Sequence, residues 1–317
     1  MRHSSSNPRQ ESRKIICSLF LPSFAKYLPL TAQSSFMDFQ VWDFPGQLDF
    51  LDPAFDAGSI FGSLGSLIWV IDAQDDYIDA LSRLCSLILF LSTNHPSINI
   101  EVFIHKTDGL SDDYKFDLQR DIQQRVQDEC SDMGLENINV GWYNTSIYNH
   151  SIFEAFSRVI QKLIPWLGWA EGLLNELCRA CRFEKVYLFD VLSKIYIATD
   201  SSPVDMGCYE ICSDYIDVVV DISSIYGWER PQQYIKDLEG PPWNKSLDDQ
   251  MGCRDAEATV VLKDGKRPIV LREVDKYLAL VGVLREGGAE KLPMVKANVE
   301  TTVRGLEKVF EVARAKK

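Results

Sequence analysis

Residues Phe36–Gln47 read FMDFQVWDFPGQ. Phe36, Asp38, Gln40 and Trp42 alternate with Met37, Phe39, Val41 and Asp43, a period of two that predicts one β-strand running into a Pro-Gly turn. The strand ends on Asp43-Phe44-Pro45-Gly46-Gln47, the pattern D-x-x-G-Q. An Asp in that place can hold a divalent cation through water. The Gly can offer its backbone N–H to a terminal phosphate, and the Gln can orient an attacking water. Gly suits its place because a Cβ would block close approach of backbone to phosphate. The pattern is short, and by itself it also describes a plain strand-to-loop turn.

Its neighbours decide between the two. Ser66–Ala73 (SLIWVIDA) is a continuous apolar run, as in a strand buried on both faces of a parallel sheet. Over Asp75–Leu91, Ile78, Leu81, Leu84, Cys85 and Ile88 recur at helical spacing. A further strand, Asn99–His105, runs directly into His105-Lys106-Thr107-Asp108. That tetrad has the form of the guanine-reading motif of GTPases, with His in place of the usual Asn. The physics fits guanine, because the Asp108 carboxylate can accept from both N1–H and the exocyclic amine. A helix over about Ser111–Met133 and a strand over Asn137–Tyr143 follow. They lead to Thr145-Ser146-Ile147, where such folds place a backbone N–H on the guanine O6. Three strand-end motifs in this order and spacing predict a G-domain.

The strings FMDFQVWDFPGQLDFLDPAFD, WVIDAQDDYIDAL, EVFIHKTDGLSDDYKFDLQRDI and TSIYNHSIFEAFSRVIQKLIP resemble the Rag/Gtr GTPases, in their RagC/RagD-type branch. EKVYLFDVLSKIYIATDSSPVDM resembles the start of that family's roadblock-like domain. The resemblance implies an α/β chain: a Ras-like G-domain, incomplete at its N-terminus, followed by a roadblock-like α+β domain. It implies GTP or GDP as ligand, with Asp43, Gly46, His105, Lys106, Asp108, Ser146 and Ile147 around the nucleotide. Asp43 would hold Mg²⁺ through water and Gln47 would act in hydrolysis. It also implies a RagA/RagB-type partner bound through the C-terminal domain, and recruitment of the target-of-rapamycin kinase complex when amino acids are available. The expected location is cytoplasmic, at the vacuolar or lysosomal surface through a membrane-tethering scaffold.

One element of the pattern is missing. No GxxxxGK[ST] occurs in the chain. That loop wraps phosphates with backbone N–H groups, brings a Lys to the β/γ-phosphates and gives Mg²⁺ a hydroxyl. Lys26 follows Ala25 and precedes Tyr27, so it does not supply the motif. Charge-assisted hydrogen bonds contribute about 1.5–3 kcal/mol each. Four lost contacts would therefore remove on the order of 6 kcal/mol, about 10⁴-fold in affinity. The alternative function is then a pseudo-GTPase that acts as a dimerisation scaffold.

The 317 residues, 46% hydrophobic and 25% charged, suit a chain of about two domains. The net charge of −13 argues against nucleic acid or an anionic membrane as a partner. Eight Cys fit reduced thiols better than a disulfide scaffold of this length. Cys178-x₂-Cys181 and Cys208-x₃-Cys212 superficially resemble a zinc site, but both pairs fall on expected helices, where such spacings only mark one face; no zinc is expected. No run suggests direct membrane insertion. The chain ends Ala315-Lys316-Lys317 without a prenylation Cys and lacks an N-terminal Met-Gly.

Two domains are expected after an atypical segment over 1–35, disordered or unrelated: a partial G-domain over 36–165 and a dimerisation domain over 166–317. For the first segment three readings stand open. It is an altered N-terminus, a weak signal peptide, or a replacement for the central first strand of the sheet through Ile15–Leu21. The expected elements after it are a helix over Ser151–Leu163, a linking helix over Trp166–Arg182, and strands at Val186–Val191 and Lys194–Thr199. A buried helix from Pro203 through Ile225 comes next, then a mobile loop near 229–258. A hairpin is expected about Asp264-Gly265, a strand over Tyr277–Leu284, and an amphipathic helix over Lys291–Ala315.

Overall fold

The apolar run around Trp69 becomes the core of a parallel sheet. The computed structural model describes residues 13–19, 29–33, 38–45, 61–62, 64–136, 138–225, 256–262, 267–275 and 277–315, and the chain divides into two compact units, with the boundary in sequence between Leu163 and Ile164. The first unit holds β1 (Arg13–Leu19), β2 (Pro29–Gln33), β3 (Asp38–Pro45), β4 (Leu64–Asp72), β5 (Asn99–His105) and β6 (Val140–Thr145), in the order β2-β3-β1-β4-β5-β6. All neighbours run parallel except β2, which is antiparallel to β3.

The segment expected to lie outside the fold thus supplies two strands. β1 lies between β3 and β4, the place that the replacement-strand reading expects, with Cys17 opposite Asp43 on one side and Ile68 on the other. The sequence IICSL suits a central strand, where both faces are covered.

Among the described residues three helices flank this sheet: α1 (Ile78–Asn94), α2 (Asp112–Asp132) and α3 (Ser151–Lys162). Leu67, Trp69 and Ile71 of β4, with Ile100, Val102 and Ile104 of β5, pack against α1 and α2. The alternate residues face α3, where Phe103 meets Phe156 edge-on at 5.4 Å. α1 begins three residues later than its periodicity suggests. Asp75 and Asp76 turn their carboxylates onto the amides of Asp76 and Ile78, so they form the entry turn instead of joining the helix. Ser111 caps α2 as its sequence implies, accepting from the Tyr114 amide, with Asp112 and Asp113 in the first turn.

The second unit contains α4 (Leu167–Cys181), β7 (Phe183–Asp190), β8 (Tyr196–Thr199), α5 (Met206–Ile225), β9 (Glu257–Val261), β10 (Pro268–Asp275), β11 (Leu278–Leu284) and α6 (Leu292–Ala315). Its antiparallel sheet has the order β8-β7-β11-β10-β9. α4 and α6 pack on each other and on β7, β8 and β10. α5 covers the face that carries Tyr187, Phe189, Tyr196, Leu271 and Val281. This is the expected roadblock-like α+β arrangement. The loop expected near 229–258 overlaps the start of β9 at Glu257, and most of it lies outside the described residues, as does the Asp264-Gly265 turn.

Candidate guanine-recognition site

Parallel sheets gather their chemistry at the carboxyl ends of the strands. Here β4 ends on Asp72, β5 on His105 and β6 on Thr145, and the three ends are joined by hydrogen bonds. The carboxylate of Asp108 sits in a short 3₁₀ turn, Thr107–Gly109, just past β5. Ser146, fully buried just past β6, donates its hydroxyl to Asp108 Oδ1 at 2.6 Å. The same hydroxyl accepts from the Tyr148 amide at 3.1 Å, while the Ser146 amide donates to Ser151 Oγ at 2.9 Å, at the start of α3. Beneath them, Thr107 donates to the Thr145 carbonyl at 3.2 Å. Asp108 is therefore an exposed carboxylate whose direction is set by a buried hydroxyl. An acceptor oriented in this way suits the paired donors of a guanine edge. Ile147 is exposed beside it.

His105 Nδ1 lies 3.0 Å from Thr145 Oγ1, and the same hydroxyl reaches the Ile104 carbonyl at 3.4 Å. Burial pushes the imidazole below its ordinary value, and the neighbouring Lys106 cation adds to the push against Asp72 and Asp108. Lys106 Nζ donates to Asp72 Oδ2 at 2.5 Å. Burial alone would raise Asp72, but the Lys106 hydrogen bond, the Gln74 amide and the Lys106 charge outweigh it and hold the carboxyl below the usual range.

Lys106 adopts φ 63° and ψ 36°, the left-handed region. For a residue with a Cβ this costs about 1–2 kcal/mol. Three ties from the end of β4 hold it there. The Ala73 amide donates to the His105 carbonyl at 2.8 Å, the Gln74 side chain donates to the Lys106 carbonyl at 2.9 Å, and the ion pair with Asp72 closes the set. Gly109 leaves room for this, since a Cβ there would stand 3.1 Å from Gln74 Nε2. Hydrogen bonds of this kind contribute about 0.5–1.5 kcal/mol each, and the exposed ion pair adds little beside them. Together they match the backbone cost.

The expected residues are thus only partly assembled in view. His105, Lys106, Asp108, Ser146 and Ile147 share one edge. Asp43 lies in β3 opposite Cys17, but its side chain lies outside the described residues, as do Gly46 and Gln47. The expectations for Mg²⁺ and for hydrolysis rest on those groups. Among the described residues no group of three or more metal-ligating side chains converges, and Cys178, Cys181, Cys208 and Cys212 are free thiols on α4 and α5. The sequence reading did not single out Asp72 or Gln74. The signal was available: a carboxylate ending an apolar parallel strand marks the functional edge.

Comparison with known proteins identifies the family. Residues 29–216 match the family described as the Gtr1/RagA G protein conserved region. The chain is 52% identical over 293 residues to GTP-binding protein gtr2 of Schizosaccharomyces pombe (strain 972 / ATCC 24843), covering 92% of this chain and 89% of that one. It is 49% identical over 297 residues to Ras-related GTP-binding protein C of Homo sapiens, covering 93% and 70%. Among solved structures, Myxococcus xanthus MglB aligns with a TM-score of 0.31 and 14% identity, over 46% of this chain and 90% of that one, a likeness too slight to support any argument. With this family match, these identities and the strand-end tetrad, the chain belongs to the Gtr/Rag family of G proteins, on its Gtr2, RagC and RagD side.

Proposed function

We propose that this chain is the guanine-reading subunit of a Rag-type heterodimer that signals amino-acid availability to the target-of-rapamycin kinase complex. The observation that carries the reading is the exposed Asp108 carboxylate, aimed by buried Ser146 across the ends of β5 and β6. His105, Lys106 and Ile147 would surround the base, with the Ile147 amide on O6. Asp43 would hold Mg²⁺ through water and Gly46 would meet the γ-phosphate. Bound Mg²⁺ would neutralise phosphate charge, and Gln47 would orient water.

The partner would be a RagA/RagB-type chain. Ile211, Val218, Ile222 and Ile225 form an exposed apolar stripe on α5, and β9, which ends the described sheet, exposes Val260 and Val261. Both features fit a dimer through the second unit. The vacuolar or lysosomal surface would be reached through partners; among the described residues no helix is long and apolar enough to cross a membrane.

A second reading, a scaffold with little nucleotide affinity, has its own observation. The first glycine of the chain is Gly46, so the turn after β1, where a phosphate cradle would sit, has none. Titration of the full chain with fluorescent GDP, GTP and ATP tests both. Guanine-selective binding, weaker than micromolar and abolished by Asp108→Ala, is the expected result. Equal binding of ATP would remove the guanine reading, and submicromolar affinity would remove the scaffold.

A further inference from the structure

The ties from the end of β4 do more than relieve backbone cost. We infer that Asp72 and Gln74 are positioning residues for base recognition, which hold the Lys106 turn in its left-handed form and thereby place the Asp108 carboxylate. The inference rests on the guanine reading above. Both side chains are tied to Lys106, two residues before Asp108. Gln74 donates to the Lys106 carbonyl, Asp72 takes the Lys106 ammonium, and the Asp72 carboxylate also accepts from the Gln74 amide at 2.9 Å. Asp72 thus fixes both the cation and the residue that grips its backbone.

Asp108 stands two residues after Lys106, so the handedness of Lys106 decides where the 3₁₀ turn begins. With the ties released, a lysine returns to right-handed or extended backbone, and the turn carrying Asp108 rotates away from Ser146. Ser146 itself would stay, because it is buried and held from α3. The Asp108–Ser146 bond is therefore the dependent element and the β4 end its support.

The test uses full-length Gln74→Ala and Asp72→Asn, both changes of partly or fully exposed side chains, in two measurements. The first is hydrogen–deuterium exchange of the peptide Ile104–Leu110 without nucleotide. Exchange about tenfold faster in both variants is expected, equivalent to about 1.4 kcal/mol of local opening, with α5 and β11 unchanged. The second is competition binding of GDP against inosine diphosphate, which lacks the exocyclic amine. The preference for GDP should fall about tenfold in both variants, while a structural role alone would lower both affinities and leave their ratio. Unchanged exchange overturns the inference, and so does faster exchange with an unchanged ratio. If the unaltered chain takes the two nucleotides equally, the guanine reading fails, and the exchange measurement alone still decides whether Asp72 and Gln74 hold the turn.

Discussion

At the scale of residues, the site is a set of small energies balanced against each other, and His105 gives the most direct handle on it. Burial and Lys106 depress its imidazole, so the folded state takes a proton at lower pH than the unfolded chain, whose His titrates near about 6.5. The sign follows. Below that value the unfolded state binds more protons, and stability falls with falling pH by at most about 1.4 kcal/mol per pH unit; above it His105 contributes no slope. Asp72, also depressed, adds its loss only in a lower window, as pH falls through its folded value below the usual carboxylate range. Thermal unfolding followed between pH 8 and 5 should show a flat upper limb and a decline that His105→Asn makes shallower; an identical decline in the variant would count against the role given to His105. Such residues were unevenly legible. The tetrad was readable because its chemistry is local to four consecutive positions. Asp72 and Gln74 act through a neighbouring strand, and only the pairing of β4 with β5 shows whom they serve.

At the scale of elements, β5 carries more than the turn of the candidate site. Glu101, in its middle, is fully buried and forms an ion pair with Lys162 of α3 at 2.8 Å, while the Lys162 side chain is 41% exposed. Gly141 of β6 makes room for that carboxylate, since a Cβ there would collide with it. The two halves of the pair are unequal. Removing Lys162 strands a buried carboxylate, whereas removing Glu101 leaves an ammonium that can turn to water. Lys162→Met should therefore cost about 3–5 kcal/mol, and Glu101→Gln distinctly less. Urea unfolding of the two variants compares them, and equal losses would show that Lys162 is not the compensating charge. Strands and helices themselves were largely visible in the chain, because β4 and β5 are apolar on both faces and α1 to α3 on one. Their ends were less so, as at α1, where side-chain caps moved the start. Glu101 was invisible as a buried charge, since nothing local distinguishes it from a surface glutamate.

At the scale of the whole molecule, two units with separate cores imply separable duties. Among the described residues the second unit has a five-stranded antiparallel sheet and three helices, and none of those strands comes from the first unit. A fragment beginning at Ile164 is expected to form a heterodimer with the C-terminal domain of a RagA/RagB-type chain without added nucleotide. Co-expression and size-exclusion chromatography decide it; two well-folded monomers eluting apart would be the contrary result. The first unit shows most plainly what composition could not settle. An apolar stretch near the N-terminus had three readings, and only its pairing with β3 and β4 shows the strand it forms. That placement has a consequence during synthesis. β1 leaves the ribosome before either strand that will flank it, so for a time it is a bare apolar ribbon with both edges open, the condition in which chains join wrong neighbours. The need for chaperone protection is thus set by where β1 belongs in the sheet, and it ends only when β4 has been made.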